Sequence, residues 1–243
     1  MKREIQSVCR DSTFDPVDAA CRAIRTAEAI LIGASNGLSI AEGYHIFADN
    51  DLFRRQFGDF RERYGIRCVL EGCFFRYPSE QVRQAFLQRL VQYWVTDYRS
   101  TQVMQDLRAI VGQKEYFVLT TNADTHLERS GFDASRVFEL EGTFQQLLDG
   151  QPIEDKSPRF REFLTRNHRK PLVVIELGVG RNNRLIRQPL LRLASDEPRA
   201  TYLALNLAAE LSIPETVAPK AIGLAGDLGA TLHDLKTRLQ NRV

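Results

Sequence analysis

Short apolar runs alternate with amphipathic stretches along nearly the whole chain. The segments AILIG (29–33), YFVLTT (116–121), VFEL (137–140), PLVVIEL (171–177), ATYLALN (200–206) and AIGLAG (221–226) have strand length and end in turn-forming or polar residues, which predicts six buried strands. Between them the apolar positions recur at helical spacing. Asp15 as N-cap, Pro16 at the first helical position and Asp18 at the third open one helix, in which Val17, Ala20, Cys21 and Ile24 repeat along one face. Ser79 caps a helix over 79–94 with Val82, Phe86, Leu90 and Tyr93 or Trp94 on one side, and another helix covers about Val103 to Val111. The last begins at the N-cap Asp227 and presents Leu228, Leu232, Leu235 and Leu239. Residues 148–170 are polar, carry two prolines and read as the longest loop.

Strands taking turns with helices predict an α/β fold: a doubly wound, mostly parallel, Rossmann-like sheet with helices on both faces. From about 51 to 100 no strand signal of length occurs and aromatics accumulate, so a small helical module is inserted after the first unit. A chain of 243 residues fits one domain with such an insertion.

Several strand ends carry candidate chemistry. GASNGLSIAEG (33–43) follows the first strand; its glycines let backbone amides approach a pyrophosphate and Ser35 and Ser39 add hydroxyls, although the spacing is not GxGxxG and a plain Gly/Ser turn explains it equally well. No Walker-type GK[ST] follows. ELGVGRN (176–182) repeats the arrangement after the fourth strand, with Gly178 and Gly180 serving either a cofactor or a tight turn. Asn206 ends the fifth strand, where an amide could bond ribose hydroxyls; Gly226 and Asp227 open the last helix, with Asp227 foremost a cap. In LTTNAD (119–124), Asn122 offers donor and acceptor and Asp124 a carboxylate that could also cap the short segment THLERSG. VFELEGTF delivers Glu141 just before Gly142, in a place where an exposed turn carboxylate would be unremarkable. His126 reads as a surface or satisfied histidine, and His45, His168 and His233 have no motif around them.

Composition narrows the partners. A formal charge of +2 gives no general pull toward nucleic acid or anionic membrane, and no run approaches the roughly 18 apolar residues of a membrane span. MKREIQSVCRDSTFD has no signal-peptide core, so a cytoplasmic protein is expected. Cys9, Cys21, Cys68 and Cys73 form no CxxC pair; Cys68 and Cys73 could supply two zinc ligands where a structural site wants four, so no metal is expected.

Taken in order, these strand ends resemble the sirtuin family, most closely the macrodomain-linked class M sirtuins, which are protein ADP-ribosyltransferases. The similarity runs through GLSIAEG, DLFRRQFGDFRERYG, YFVLTTNADTHLERSGFDASRVFELEGT, VIELGVGRN, ALN and GD, nearly the whole chain. It implies a single sirtuin-type domain over 1–243, with a large Rossmann part about 1–44, 101–147 and 171–243, a small helical part about 45–100, and 148–170 as a reduced remnant of the zinc module. It also implies NAD as cofactor. Carried over by position, Asn122, Asp124 and Glu141 form the catalytic set. Gly33, Ser35, Asn36, Gly37 and Ser39 belong to the first loop, Phe47 sits near the nicotinamide ribose, Asn122 and Asp124 form the nicotinamide pocket, and Thr121 is a further cofactor contact. Gly178, Val179, Gly180, Asn182, Asn206, Gly226, Asp227 and Leu228 surround the adenosine half. The chain departs from the family in having Glu141 where deacetylating members have His and class M members Gln, in Ser35-Asn36 replacing Gly-Ala, in lacking an Arg after Phe47, and in lacking the zinc cysteines.

By the same resemblance the reaction is cleavage of the nicotinamide–ribose bond through an oxocarbenium-like species. An ordinary Glu, with pKa about 4.3, is a weak base at neutral pH, so deacetylation is disfavoured and Glu141 is expected to stabilise the developing cation or activate a neutral nucleophile. A carboxylate acceptor would be repelled by an ionised Glu141, about 4 kcal/mol for two charges 4 Å apart at an effective dielectric of 20. The expected activity is ADP-ribosyl transfer to a protein, with a lipoyl-carrier protein and a macrodomain hydrolase as partners the family suggests. NAD glycohydrolase and a silent NAD or ADP-ribose sensor are the alternatives.

Overall fold

The computed structural model describes residues 15–241, which leaves Cys9 outside the described residues. Its strands are β1 (Ala29–Ala34), β2 (Glu115–Thr120), β3 (Val137–Glu139), β4 (Leu172–Leu177), β5 (Ala200–Asn206) and β6 (Ala221–Ala225). Its helices are α1 (Pro16–Thr26), α2 (Asn36–Ala41), α3 (Asp51–Tyr64), α4 (Val69–Phe74), α5 (Glu80–Val91), α6 (Gln102–Val111), α7 (His126–Arg129), α8 (Phe144–Asp149), α9 (Ser157–Asn167), α10 (Arg184–Asp196) and α11 (Leu228–Asn241). The strands form one parallel sheet in the order β3-β2-β1-β4-β5-β6. All six strands expected from the apolar runs are present.

Central strands buried on both faces explain why β1 and β4 read as continuous apolar runs rather than alternating ones. Within β1 the two faces still divide by period two. Ile30 and Ile32 pack with Ile24 of α1, Leu107 of α6 and Leu232 of α11, whereas Leu31 joins Phe163 of α9 and Leu190 of α10. The end caps follow the sequence signals: Asp15 accepts from the Val17 amide at 2.9 Å, Ser79 from Val82 at 3.4 Å, and Asp227 from Ala230 at 2.8 Å.

A third apolar cluster belongs to the inserted helices. Phe53, Phe57 and Phe60 of α3 meet Phe86 and Leu90 of α5, and Phe144 of α8 packs there as well. Gly72 of α4 is required beneath the Phe86 ring, which would collide with any Cβ at that position.

Two elements differ from the sequence expectation. The stretch 148–170 is not one long loop: α9 occupies Ser157–Asn167, because Phe160 and Phe163, three residues apart, both pack on Phe117 at ring-centroid separations of 5.3 and 5.8 Å. The helix expected over 79–94 stops at Val91 and continues as a π turn over Gln92–Thr96, which carries the buried Trp94. Among the described residues no helix is long and apolar enough to cross a membrane, and no group of three or more His, Cys, Asp or Glu is placed to hold a metal ion.

Candidate active site

Strand order reverses between β1 and β4, so the turns leaving their carboxyl ends diverge and leave a crevice. A cleft of about 520 Å³ opens there, within the range usual for cofactor sites. The turn after β1 contributes Ser35, Asn36 and Gly37, and the turn after β4 contributes Gly178 and Gly180. Asn206 comes from β5, Gly226, Asp227 and Leu228 from the entry to α11, and Phe47, 49% exposed, from the chain leading into the helical insertion.

The remaining sequence candidates lie outside this lining. Gly33 faces α10, where a Cβ would strike the Leu190 and Ile186 side chains, so its missing side chain serves packing. Val179 is buried in the core under α10, and its carbonyl accepts from Asn206 Nδ2 at 2.9 Å. Asn182 is exposed, while its neighbour Asn183 lines the cleft. Asn183 Oδ1 accepts from the Ile186 amide at 3.0 Å, capping α10, and Nδ2 donates to Ser35 Oγ at 3.0 Å. Thr121 Oγ1 lies 3.0 Å from the same Ser35 hydroxyl, which ties the ends of β1, β2 and β4 together. Asn183, Ile40, Leu207 and Glu210 line the cleft without having been singled out from sequence. Only Asn183 carried a local signal, as an N-cap residue before the amphipathic run RLIRQPLLRL.

Behind the first turn, Asn122, Asp124 and Ser39 form a buried hydrogen-bonded group. Asn122 Nδ2 donates to the Ser35 carbonyl at 3.2 Å and to Ser39 Oγ at 2.9 Å, and Ser39 Oγ donates to Asp124 Oδ2 at 2.5 Å. Both amide hydrogens of Asn122 are thereby engaged, yet among the described residues its Oδ1 is buried without a partner. Asp124 Oδ1 accepts from the His126 amide at 3.1 Å, so the carboxylate also caps α7. Thr125 between them adopts φ 56, a left-handed conformation unfavourable for a β-branched residue, and this turn accompanies the burial of both flanking side chains.

His126 is fully buried. Burial by itself would lower its pKa, but the Asp124 and Glu42 carboxylates and the Trp94 carbonyl outweigh it, and the pKa is raised.

Glu141 sits in the turn after β3. The Leu140 amide donates to the Thr120 carbonyl at 2.9 Å and the Phe144 amide to the Ala123 carbonyl at 2.8 Å, so the Glu141 turn runs beside the Thr121–Asn122 segment. The Glu141 side chain is exposed. Nearby, Lys156 Nζ is buried against Glu139 Oε2 at 2.9 Å and the Val137 carbonyl at 2.7 Å. Burial and the adjoining Glu139 carboxylate push the Glu128 carboxyl up.

No protein-family model matches the sequence. The chain is 21% identical, over 287 aligned positions covering 95% of it and 90% of the relative, to a protein ADP-ribosyltransferase of Staphylococcus aureus (strain Mu50 / ATCC 700699). Among solved structures it is similar to a protein from work on the structural basis for the mechanism and regulation of Sir2 enzymes, with TM-score 0.54, 14% identity, and coverage of 93% of this chain and 98% of that one. The sirtuin resemblance carried by its strand-end motifs is borne out: this chain has the Sir2 fold and aligns along nearly all of its length with a protein ADP-ribosyltransferase.

Proposed function

We propose that the chain is an NAD-consuming, sirtuin-like enzyme that cleaves the nicotinamide–ribose bond and transfers ADP-ribose to a protein acceptor. The observation that carries this reading is the orphaned Asn122 Oδ1. A buried amide oxygen without a donor is costly, about 1–3 kcal/mol, unless a ligand completes it. A carboxamide NH₂, as in nicotinamide, is the donor such an acceptor lacks.

The residues present fit the dinucleotide. Ser35, Gly37, Gly178 and Gly180 would hold its phosphates and Asn206 and Asp227 its adenosine side, while Asn122 and Asp124 would form the nicotinamide pocket with Thr121 beside it. Bound NAD would supply an activated ADP-ribosyl group with nicotinamide as leaving group. Asn122 orients; Glu141, a carboxylate at the adjoining turn, favours positive charge beside it and accepts a proton from a neutral hydroxyl or amine acceptor. A lipoyl-carrier protein is the acceptor to test first.

Incubation with labelled NAD and candidate carrier proteins should release nicotinamide and leave label on protein. The exposure of Glu141 favours water as a second acceptor, and free labelled ADP-ribose would assign the chain as a glycohydrolase instead. NAD that binds and is not consumed would make it a sensor. Asn122→Ala should abolish turnover, and retained activity would remove the assignment.

A further inference from the structure

We propose that His126 is held as a doubly protonated imidazolium by Glu42, and that this buried cation, placed beside the Asp124 carboxylate, fixes the direction of the Asp124–Ser39–Asn122 hydrogen-bond chain. His126 is on this view a positioning residue for the reaction proposed above, on which its relevance to catalysis rests.

The geometry of the ring decides its protonation. Nε2 lies 2.8 Å from the Trp94 carbonyl oxygen, which can only accept, so Nε2 carries a hydrogen. Nδ1 lies 3.0 Å from Glu42 Oε2. The other Glu42 oxygen already accepts from Tyr98 Oη at 2.6 Å and Thr101 Oγ1 at 2.7 Å, a set of donors that suits a carboxylate rather than a carboxylic acid. Nδ1 therefore donates as well. Both side chains are fully buried at 0% exposure, and a lone carboxylate there would be far costlier than this hydrogen-bonded pair.

The groups facing the ring agree. Asp124 Oδ2 is 3.7 Å from Nδ1, and Tyr98 stacks on the ring with centroids 3.7 Å and planes 11° apart. Tyr44 meets it edge-on at 4.5 Å. Two carboxylates and two electron-rich aromatic faces surround the imidazole, an environment that favours the cation.

The consequence reaches Asn122 through Ser39. A hydroxyl has one hydrogen; Ser39 gives it to the Asp124 carboxylate and accepts from Asn122 Nδ2. The Ser35 carbonyl takes the second amide hydrogen, and Oδ1 is left as the free acceptor. Glu42 and His126 are 84 positions apart, and their pairing joins the end of α2 to the start of α7, beside the Asp124 carboxylate.

Nitrogen-15 NMR of the imidazoles in the full chain, followed from pH 6 to 9, tests the pair without reference to turnover. Both His126 nitrogens should stay protonated at a pH where an ordinary imidazole, with pKa about 6.5, has already lost its proton, and the Asn122 side-chain amide hydrogens should exchange slowly. In Glu42→Gln the His126 proton should be lost at a pH lower by about one unit or more, and the Asn122 amide should lose protection. Neutral His126 in the wild type at pH 7, or an unchanged titration in Glu42→Gln, overturns the proposal. With NAD as substrate, Glu42→Gln should lower kcat roughly 10- to 100-fold at pH 8 and far less at pH 6, with KM for NAD little altered; a loss equal at all pH values would mark a merely structural pair and overturn the positioning role. Absence of NAD cleavage by the wild type would sink the function proposed above, while the NMR titration still decides the state of His126 and Asn122.

Discussion

Gly37 and Gly178 touch backbone to backbone: the Gly37 amide donates to the Gly178 carbonyl at 3.0 Å, and a Cβ on Gly37 would fall 2.5 Å from the Gly178 Cα. Small adjustments cannot relieve this, because both partners are main chain. The two turns that flank the cleft are thus held at a separation only glycine permits, and Gly178 at φ 57 needs glycine a second time.

Gly37→Ala is accordingly expected to wedge the turns apart, weakening NAD binding by tenfold or more and destabilising the fold by about 1–3 kcal/mol, as overpacked sites do. Titration calorimetry with NAD and thermal unfolding read the two effects. Gly180→Ala is the control for stability: among the described residues nothing lies within 4 Å of its added Cβ, so stability should hold. Equal loss of stability in the two variants would contradict the close-contact account.

Glu141→Gln separates charge from shape. The side chain is exposed, so thermal stability and NAD affinity should be almost unchanged, within about 0.5 kcal/mol. Turnover should fall by a factor of roughly 10²–10⁴ if the carboxylate acts as the general base. Single-turnover release of nicotinamide with each variant makes the comparison, and full activity of Glu141→Gln would remove the residue from the mechanism.

Stability should decline toward alkaline pH for two reasons with the same sign. His126, with its folded pKa raised above the ordinary 6.5, contributes stability that is complete below that value and is lost as pH rises through the raised one. Glu128, pushed up by burial and by Glu139, keeps a proton in the folded state that the unfolded chain releases above its ordinary 4.5, so it too disfavours folding as pH climbs. Glu128→Gln should raise the Tm by a few degrees at pH 8–9 and leave it nearly unchanged at pH 4. A Tm loss at pH 8–9 would show instead that the carboxyl is ionised and stabilising in the fold.

Phe163→Ala probes α9. Its ring is 1% exposed between the helix and Phe117, so truncation should cost about 3–5 kcal/mol. Chemical denaturation measures this, and a loss below about 1 kcal/mol would mean that α9 is not anchored on the sheet.

How far the sequence revealed the molecule differs from element to element. The six strands, the caps Asp15, Ser79 and Asp227, and the helical character of the insertion were legible because each is a local matter of period, capping chemistry and strand length. Helix α9 was equally local, with Pro158 in its first turn and Phe160, Phe163 and Leu164 on one face, but the polar residues around them masked the pattern. The cleft lining was legible where a glycine turn follows a strand, as at Gly37, Gly178 and Gly180.

Side-chain direction was not. Gly33 and Val179 stand in the same motifs as cleft residues yet face the core beneath α10, since neighbouring positions on a strand or turn point to opposite sides and the sequence does not mark which side the cleft is on. Asn183 rather than Asn182 reaches Ser35 for the same reason.

What the sequence by itself determined is the alternation of strand and helix, the parallel doubly wound sheet, and the set of turns at its carboxyl edge, all of which follow from short-range patterning. Tertiary structure alone decided which buried charges meet. Glu42 finds His126, and Lys156 finds Glu139, across stretches of chain with no common period. A charge taken out of water must be compensated by whatever the packing brings beside it, and that neighbour is fixed by the path of the whole chain.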